Sequence, residues 1–301
     1  MTAPQRRILV LGGTGSIGAA VVAELVRRGH QVTGLARSEA SAQRLSAMGA
    51  RSIAGDIAAP AGWVERLPPV DAVVHAAADF ASDMGAVETR LLDALLPALG
   101  GMQPKPRFVY TGGCWLYGGT GDRVADEATP FDPLPEFAWM VPNLDRVLAS
   151  DDVDGVVVHP AMVYAGQDGV FRRFAGDARA GRPIRVVGGP AVRWPLVHRD
   201  DLAQLYASAL ERGARGESYC GASVDGIAVG KIAAAFARRH GRAEAGLRFI
   251  GAGDAARELG EWARGLALDQ QMSSAKARRV LGWRTLHCDP LAEILSAPAQ
   301  D

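Results

Sequence analysis

Residues 7–11, RILVL, run directly into residues 12–18, GGTGSIG, and a helical pattern follows. The apolar run is typical of a buried strand, and the glycines that follow it fit a phosphate-binding turn. Gly12 permits the tight turn, Gly15 lets the backbone approach a pyrophosphate, and Gly18 lets the helix pack closely on the strand. The start of that helix presents free N–H groups and the positive end of its dipole to an anion. The stretch therefore predicts a dinucleotide site formed by Gly12, Thr14, Gly15, Ser16, Ile17 and Gly18.

The rest of the first half alternates strand-like runs with helical patterns. The runs are residues 31–36, 51–54, 72–76, 107–111 and 155–159, and the helical patterns are residues 16–28, 40–48, 85–99 and 136–150. Strands that are apolar throughout and separated by helices indicate a parallel sheet with both faces covered. We therefore predict an α/β fold built on a doubly wound parallel Rossmann sheet.

The alternation breaks after Tyr164. A helix is expected at residues 170–180 and a short strand at 184–187, while a helix at 202–212 and a strand at 218–220 return to the first sheet. From Ile227 onward the pattern is helical and mixed. We predict a dinucleotide-binding domain of residues 1–165 with 191–222, and a smaller, mostly helical C-terminal substrate domain of residues 166–190 and 223–301.

Composition excludes several classes of function. Thirty-three basic residues balance thirty-three acidic ones among 301, so no charge excess points to nucleic acid or an anionic membrane. Cys114, Cys220 and Cys288 lack the paired spacing of a zinc site or a disulfide framework, and no metal is expected. Residues 1–7 leave no room for a signal peptide, and no apolar run approaches about 20 residues. We expect a cytoplasmic protein with a small-molecule substrate, no nucleic-acid or membrane partner, and room for a homodimer.

The residues after the second strand bear on the choice of cofactor. Proteins that bind NAD commonly carry a carboxylate there, but this chain has Arg37 and Ser38 and no acid before Glu39. A guanidinium can pair with a 2′-phosphate and a hydroxyl can add a hydrogen bond. The alternative is that Arg37 is a solvated residue at the start of a helix. The pattern favours NADP(H) over NAD(H).

Later motifs extend this reading over almost the whole chain. They are residues 55–57 (GDI), 75–78 (HAAA), 116–118 (LYG), 159–164 (HPAMVY), 194–203 (WPLVHRDDLA) and 280–283 (VLGW). In type and order they resemble the extended short-chain dehydrogenase/reductases, the NAD-dependent epimerase/dehydratase family. The resemblance implies that Asp56 touches the adenine ring. It further implies cofactor contacts from Ile57, Ala76, Ala77, Ala78, Thr111 and Pro160.

That family uses a Tyr as general acid or base, with a Lys four residues later that lowers the pKa of the phenol. In this chain no Tyr is followed by a Lys at that spacing. The family's helix corresponds to residues 135–149, where the pair becomes Phe137 and Val141, or Trp139 and Asn143 if the register shifts by two. In either register the pair is absent.

Other polar side chains must then supply any proton. Thr111, at the end of the fifth strand, and Tyr117 and Tyr164, in the later motifs, are the catalytic candidates. His159 and Asp79 are further candidates, although a strand-end histidine is more often structural and Asp79 could equally cap a turn. Cys114 has no evident base beside it.

The sequence thus predicts an NADP(H)-binding oxidoreductase of the extended short-chain type, with a non-standard proton donor. Trp115, Phe137 and Trp139 favour a small, partly apolar organic substrate. Two alternatives stay open: a non-catalytic NADP(H)-binding redox sensor or regulator, and an epimerase, isomerase or lyase of the same superfamily. In all three the cofactor carries the hard chemistry and the protein supplies binding and orientation.

Overall fold

A computed structural model describes residues 4–78, 83–241 and 246–296, so the candidate Asp79 lies outside the described residues. The strands are β1 Arg7–Leu11, β2 Gln31–Ala36, β3 Arg51–Ala54, β4 Ala72–His75, β5 Arg107–Thr111, β6 Asp154–Pro160, β7 Met162–Ala165, β8 Asp168–Gly169, β9 Ile184–Val187, β10 Arg193–His198, β11 Glu217–Gly221, β12 Val224–Ala228 and β13 Leu247–Ile250. The α-helices are α1 Ser16–Arg27, α2 Glu39–Ala47, α3 Ala61–Val64, α4 Met84–Gly100, α5 Met140–Ala149, α6 Arg172–Arg179, α7 Arg199–Arg212, α8 Val229–Arg239, α9 Ala252–Leu259, α10 Ala275–Leu281 and α11 Pro290–Ser296. Short 3₁₀ helices cover Cys114–Tyr117, Pro135–Phe137 and Glu261–Ala267.

Seven strands form one parallel sheet in the order β11-β6-β5-β4-β1-β2-β3. Strand β1 shows why a strand of a covered parallel sheet is apolar throughout. Ile8 and Val10 pack on one face of the sheet, and Leu9 and Leu11 pack on the other. The prediction of a doubly wound Rossmann sheet is confirmed. The strand order reverses between β1 and β4, which is where ligands bind in folds of this kind.

The remaining strands make two smaller sheets. A four-stranded sheet has the order β12-β10-β7-β8, and β13 pairs with β9. Strand β11 does return to the large sheet beside β6, and α7 packs on α1. The sequence analysis grouped all of residues 191–222 with the dinucleotide-binding domain. Strand β10 lies in this range, but it pairs with β7 and β12 in the four-stranded sheet and not with the large sheet. The domain boundaries given above stay predictions.

One predicted helix is divided in the structure. Residues 136–150 were expected to be continuous, but a 3₁₀ turn ends at Phe137 and α5 begins at Met140. Pro142 accounts for a start nearby, because a proline is tolerated only in the first turn of a helix. Within the described residues, no helix combines the length and apolar character needed to cross a bilayer.

Candidate functional site

A cleft of about 1130 Å³ opens at the carboxyl ends of β1, β4 and β5. One end is formed by the glycine turn and the start of α1. The other end is formed by the segments after β5 and β6, by α6, and by the 3₁₀ helix Glu261–Ala267. A single cavity therefore joins a phosphate-binding turn to a second, side-chain-rich chamber.

The glycine turn has almost no room for side chains. Gly12 has a φ of +80°, and a Cβ there would lie 2.6 Å from the carbonyl oxygen of Ala76. A Cβ on Gly18 would lie 2.1 Å from the carbonyl oxygen of Gly12. Gly15 is the N-cap of α1, where no side chain caps the helix and no acid occupies the first turn. These features leave the first N–H groups of the helix available to an anion, so the turn fits a pyrophosphate.

The residues predicted to read the 2′-phosphate differ in their contacts. Ser38 is the N-cap of α2, where its Oγ accepts a hydrogen bond from the Ser41 amide at 3.2 Å. The side chain of Arg37 is exposed and makes no hydrogen bond or ion pair with any described residue. Arg44 lines the cleft and donates from Nη2 to the Thr14 carbonyl oxygen at 2.8 Å.

Sequence analysis missed Arg44. It lies on α2, beyond the strand end where the 2′-phosphate is normally read, and only the return of α2 toward the glycine turn brings it to the cleft. Arg44 therefore lines the cleft, whereas the predicted residues Arg37 and Ser38 do not.

The other predicted cofactor residues divide into two groups. Ala76, Ala77, Ala78, Thr111 and Pro160 all line the cleft. Asp56 does not, and its Oδ1 accepts a hydrogen bond from the Ala58 amide at 2.9 Å. Ile57 packs against the hydrophobic core. An adenine contact from Asp56 and Ile57 stays a prediction.

A buried acid–base pair, His75 and Glu88, faces the cleft. His75 Nε2 lies 2.9 Å from one carboxylate oxygen of Glu88 and 3.0 Å from the other. The Ala77 amide donates to His75 Nδ1 at 3.3 Å, so the proton of a neutral imidazole is on Nε2 and points at Glu88. The sequence carries a signal for this pair: Glu88 lies on the apolar stripe of α4 with Leu91, Leu92 and Leu95.

Two more residues that line the cleft have a raised pKa and stay protonated at neutral pH. Burial, followed by the negative charge of Glu88, raises the pKa of Tyr110 well above its ordinary value. Burial raises the pKa of the Cys114 thiol to about 12. At neutral pH both groups are uncharged, and a neutral thiol without a base is not a nucleophile.

The hydroxyl proton of Thr111 is already engaged. Its Oγ1 donates to the carbonyl oxygen of His75 at 2.6 Å, and the Tyr206 hydroxyl lies 2.6 Å away. Since a hydroxyl carries one proton, Thr111 accepts the hydrogen bond from Tyr206. Thr111 therefore lies on the cleft wall, but its proton already has a partner.

The other catalytic candidates lie off the cleft. The Tyr117 hydroxyl is 3.4 Å from Cys220 Sγ, and the Tyr164 hydroxyl donates to Glu293 at 3.5 Å. Burial raises the pKa of both phenols. His159 is fully buried without a hydrogen-bond partner in the described residues, and burial lowers its pKa to about 3. The positions of these three side chains do not support a role as proton donor.

An aromatic side chain stands at the expected Tyr position in either register of the Tyr-Lys pair. Phe137 and Trp139 both line the cleft, which keeps both registers open, whereas Val141 and Asn143 do not line it. The chain's three lysines, Lys105, Lys231 and Lys276, are all within the described residues, and none lines the cleft. No lysine from elsewhere in the fold therefore brings an ammonium group to the cleft.

The second chamber is walled by aromatic rings. Trp115 packs on Phe137 at 5.1 Å and on Trp262 at 6.2 Å between ring centroids. Gly265 makes room for the indole, because a Cβ there would lie 2.6 Å from Trp115. A wall of this kind can pack against the apolar surface of a ligand.

Outside the cleft, His198, Asp200 and His287 bring possible metal-binding atoms within 4.8 Å of one another. The two imidazole rings, however, stack at 3.6 Å and only 19° apart. Nitrogen lone pairs lie in the ring plane, so nearly parallel rings do not aim them at a shared point. His198 also caps α7 by accepting from the Asp200 amide at 3.2 Å.

Comparison with known proteins agrees with this architecture. Over 297 residues the chain is 27% identical to an uncharacterized Schizosaccharomyces pombe protein, covering 96% of this chain and 98% of that one. It is 30% identical to the 2-alkyl-3-oxoalkanoate reductase of Stenotrophomonas maltophilia, covering 71% and 68%. A human epimerase family protein solved with NADPH superposes with a TM-score of 0.78 at 20% identity, covering 97% and 100%.

Residues 8–220 match the sequence model of the NAD dependent epimerase/dehydratase family. The match begins in the first strand of the large sheet and ends in the last, β11, so it includes the glycine turn and the residues that line the cleft except Trp262 and Leu266. The chain belongs to the NAD dependent epimerase/dehydratase family.

Proposed function

We propose that the protein is an NADP(H)-dependent oxidoreductase that acts on a small, partly apolar organic substrate. The observation that carries the proposal is the shared cleft. The uncapped start of α1 opens into the same cavity as the wall of Trp115, Phe137 and Trp262. A nicotinamide cofactor held at the turn would supply the hydride, and the protein would orient an apolar substrate against it.

The preference for NADP(H) rests on Arg37 and Arg44. No acid lies in the first turn of α1, and the first acid after β2 is Glu39, in the first turn of α2. Arg44 lines the cleft, and Arg37 directly follows β2, where the 2′ group is normally read. A guanidinium at either position can pair with a 2′-phosphate, which NAD(H) lacks.

The proton needs a source other than the family's Tyr-Lys pair. Thr111 has its proton committed, and Tyr117, Tyr164 and His159 lie off the cleft. We propose that water in the cleft delivers the proton, with His75 and Glu88 as the buried acid–base pair that it can reach. Glu88→Gln tests this point, because it preserves the shape of the pair and removes its charge.

The test combines cofactor binding with turnover. Calorimetric titration with NADPH and NADH measures the preference, and loss of NADPH fluorescence against a panel of aryl and alkyl ketones measures turnover. Tighter NADPH binding together with reduction of at least one ketone is the expected result. Equal affinities would remove the NADP(H) preference.

The alternatives become testable in the same experiment. If no ketone or alcohol turns over, yet NADPH and NADP⁺ bind with clearly different affinities, the redox-sensor interpretation replaces the enzyme. Turnover of a substrate with no net change in the bound cofactor would indicate an epimerase, isomerase or lyase instead.

A further inference from the structure

Arg173 differs from the other arginines of the cleft. Those that line it are Arg44, Arg172, Arg173, Arg185 and Arg199. Arg44 bonds Thr14, Arg172 pairs with Asp168, Arg185 with Asp177, and Arg199 with Asp200. Arg173 alone among these five makes no hydrogen bond or ion pair with a described residue.

The guanidinium of Arg173 is also partly withdrawn from water. Its side chain is half-buried, and its Nη2 atom is buried without a partner. Burial and the charge of neighbouring Arg185 both lower the pKa of Arg173. A buried hydrogen-bond donor without a partner costs free energy. An acceptor that enters the cleft and binds this nitrogen would remove that cost.

The nearby acids do not supply that acceptor. Asp177 is held by Arg182 and Arg185, and Glu258 is held by Arg185. The two acids on the cleft wall, Glu88 and Asp168, are paired with His75 and Arg172. The second chamber therefore carries one uncompensated positive charge in the described residues.

The surroundings of that charge are apolar. Phe174, the next residue in the chain, stacks on Trp194 with centroids 5.8 Å apart and planes 3° apart, and both rings line the cleft. A diphosphate would need several free cations, but one guanidinium matches a single carboxylate through two parallel hydrogen bonds.

We propose that Arg173 binds a carboxylate of the substrate, whose apolar or aromatic body lies along the aromatic wall of the same cleft. The substrate class is thus an oxo or hydroxy acid with an apolar body. The inference deepens the proposed oxidoreductase function and rests on it only for the reacting carbonyl or alcohol.

The experiment measures binding without turnover. Wild-type protein saturated with NADP⁺ is titrated by calorimetry with 4-phenylbutanoate and with the neutral 4-phenylbutanamide, and a panel of other aryl and alkyl acids is compared with their amides. We expect the acids to bind about tenfold or more tightly, as a hydrogen-bonded charge pair predicts. Arg173→Gln should abolish the preference, and Arg173→Lys should keep part of it.

Arg179→Gln is the matched control, because this residue of the same helix α6 is exposed and does not line the cleft. It should leave the preference within about twofold, because exposed charges interact weakly through solvent. If the variants at residue 173 fail to fold, phenylglyoxal labelling of wild-type Arg173, mapped by mass spectrometry, replaces them. Acids, but not amides, should slow the labelling.

Equal binding of acids and amides across the panel overturns the proposal, as does an unchanged preference in Arg173→Gln. Tight binding of UDP-glucose that depends on Arg173 would replace it with a nucleotide-sugar site. The two proposals fail separately. Acid binding without turnover of any ketone would support the carboxylate site and contradict the oxidoreductase. Turnover of ketones without a preference for acids would support the oxidoreductase and contradict the carboxylate site.

Discussion

Backbone forms most of one end of the cleft, and side chains form the other. The phosphate end is mainly backbone: Gly12 and Gly18 sit where a Cβ would collide, and Gly15 leaves the start of α1 uncapped. The other end, the second chamber where we place the reaction and which we call the reaction end, is made of side chains, and an aromatic residue stands there at the expected position of the family's Tyr. A backbone cradle tolerates few changes, while a side-chain wall can be exchanged residue by residue. One fold can therefore keep its cofactor and alter its chemistry.

The largest expected effect is at the phosphate end. Gly15→Val places a β-branched side chain at the uncapped start of α1, against the Gly12 carbonyl oxygen, which a Cβ would already approach to 3.3 Å. Loss of two charge-assisted hydrogen bonds, at about 1.5–3 kcal/mol each, predicts at least about a hundredfold weaker binding of NADPH and NADH alike. Calorimetric titration of both cofactors measures it.

Gly62→Val is the control for that variant, because a Cβ on Gly62 meets nothing within 4 Å. It should bind both cofactors as the wild type does. Retention of cofactor affinity in Gly15→Val would mean that the glycine turn does not hold the pyrophosphate, and the contrast between the two ends would fail.

A smaller effect should separate the two arginines beside the turn. Arg37→Gln should weaken NADPH binding by several-fold to about a hundredfold, the scale of a charge-assisted hydrogen bond, and leave NADH unchanged. Arg44→Gln should also weaken NADPH binding, with some loss for NADH, because Arg44 touches the turn itself at Thr14. Arg51→Gln, on exposed β3, serves as control. Parallel losses of NADPH and NADH in Arg37→Gln would contradict a 2′-phosphate contact.

The same contrast explains what could be predicted from sequence. The sheet was predictable because buried parallel strands are apolar throughout, and the glycine turn because its constraint is local: a chain that needs a positive φ or a close approach shows glycine there. Arg44 was missed because its place depends on how α2 returns to Thr14, 30 residues earlier.

The reaction end was not predictable for a related reason. Thr111 meets Tyr206 across 95 residues, and Tyr164 meets Glu293 across 129. Such pairings decide whether a hydroxyl faces the cleft or is already engaged, and no spacing in the sequence reports them. Tyr117 and Tyr164 were reasonable candidates by motif, yet their hydroxyls face Cys220 and Glu293 away from the cleft.

The pH dependence of stability tests whether buried His159 can take up a proton in the folded chain, as a proton donor would have to. Its pKa is about 3 in the folded chain against an ordinary 6.5, because burial disfavours the imidazolium. Between these values the unfolded chain binds a proton that the folded chain does not. Stability is therefore lost as pH falls below 6.5, by up to about 1.4 kcal/mol per pH unit.

His159→Leu removes this titration, so its unfolding free energy should fall less steeply than that of the wild type between pH 6 and pH 4. Urea unfolding at several pH values gives both slopes, and contributions from other groups cancel in the comparison. Identical slopes would mean that His159 titrates normally and would restore it as a candidate donor.

The smallest expected effects are those of Tyr117→Phe and Tyr164→Phe on turnover. Removing a true general acid costs about 10²–10⁴ in rate. Neither hydroxyl reaches the cleft, and burial holds each phenol protonated by raising its pKa. Both variants should therefore keep kcat within about twofold, since any loss would come only from repacking of a buried hydroxyl's partner. A hundredfold fall in kcat with unchanged NADPH affinity in either variant would identify that tyrosine as the donor. It would also show that the reaction end keeps a phenol for proton transfer, and that only its position in the sequence has moved.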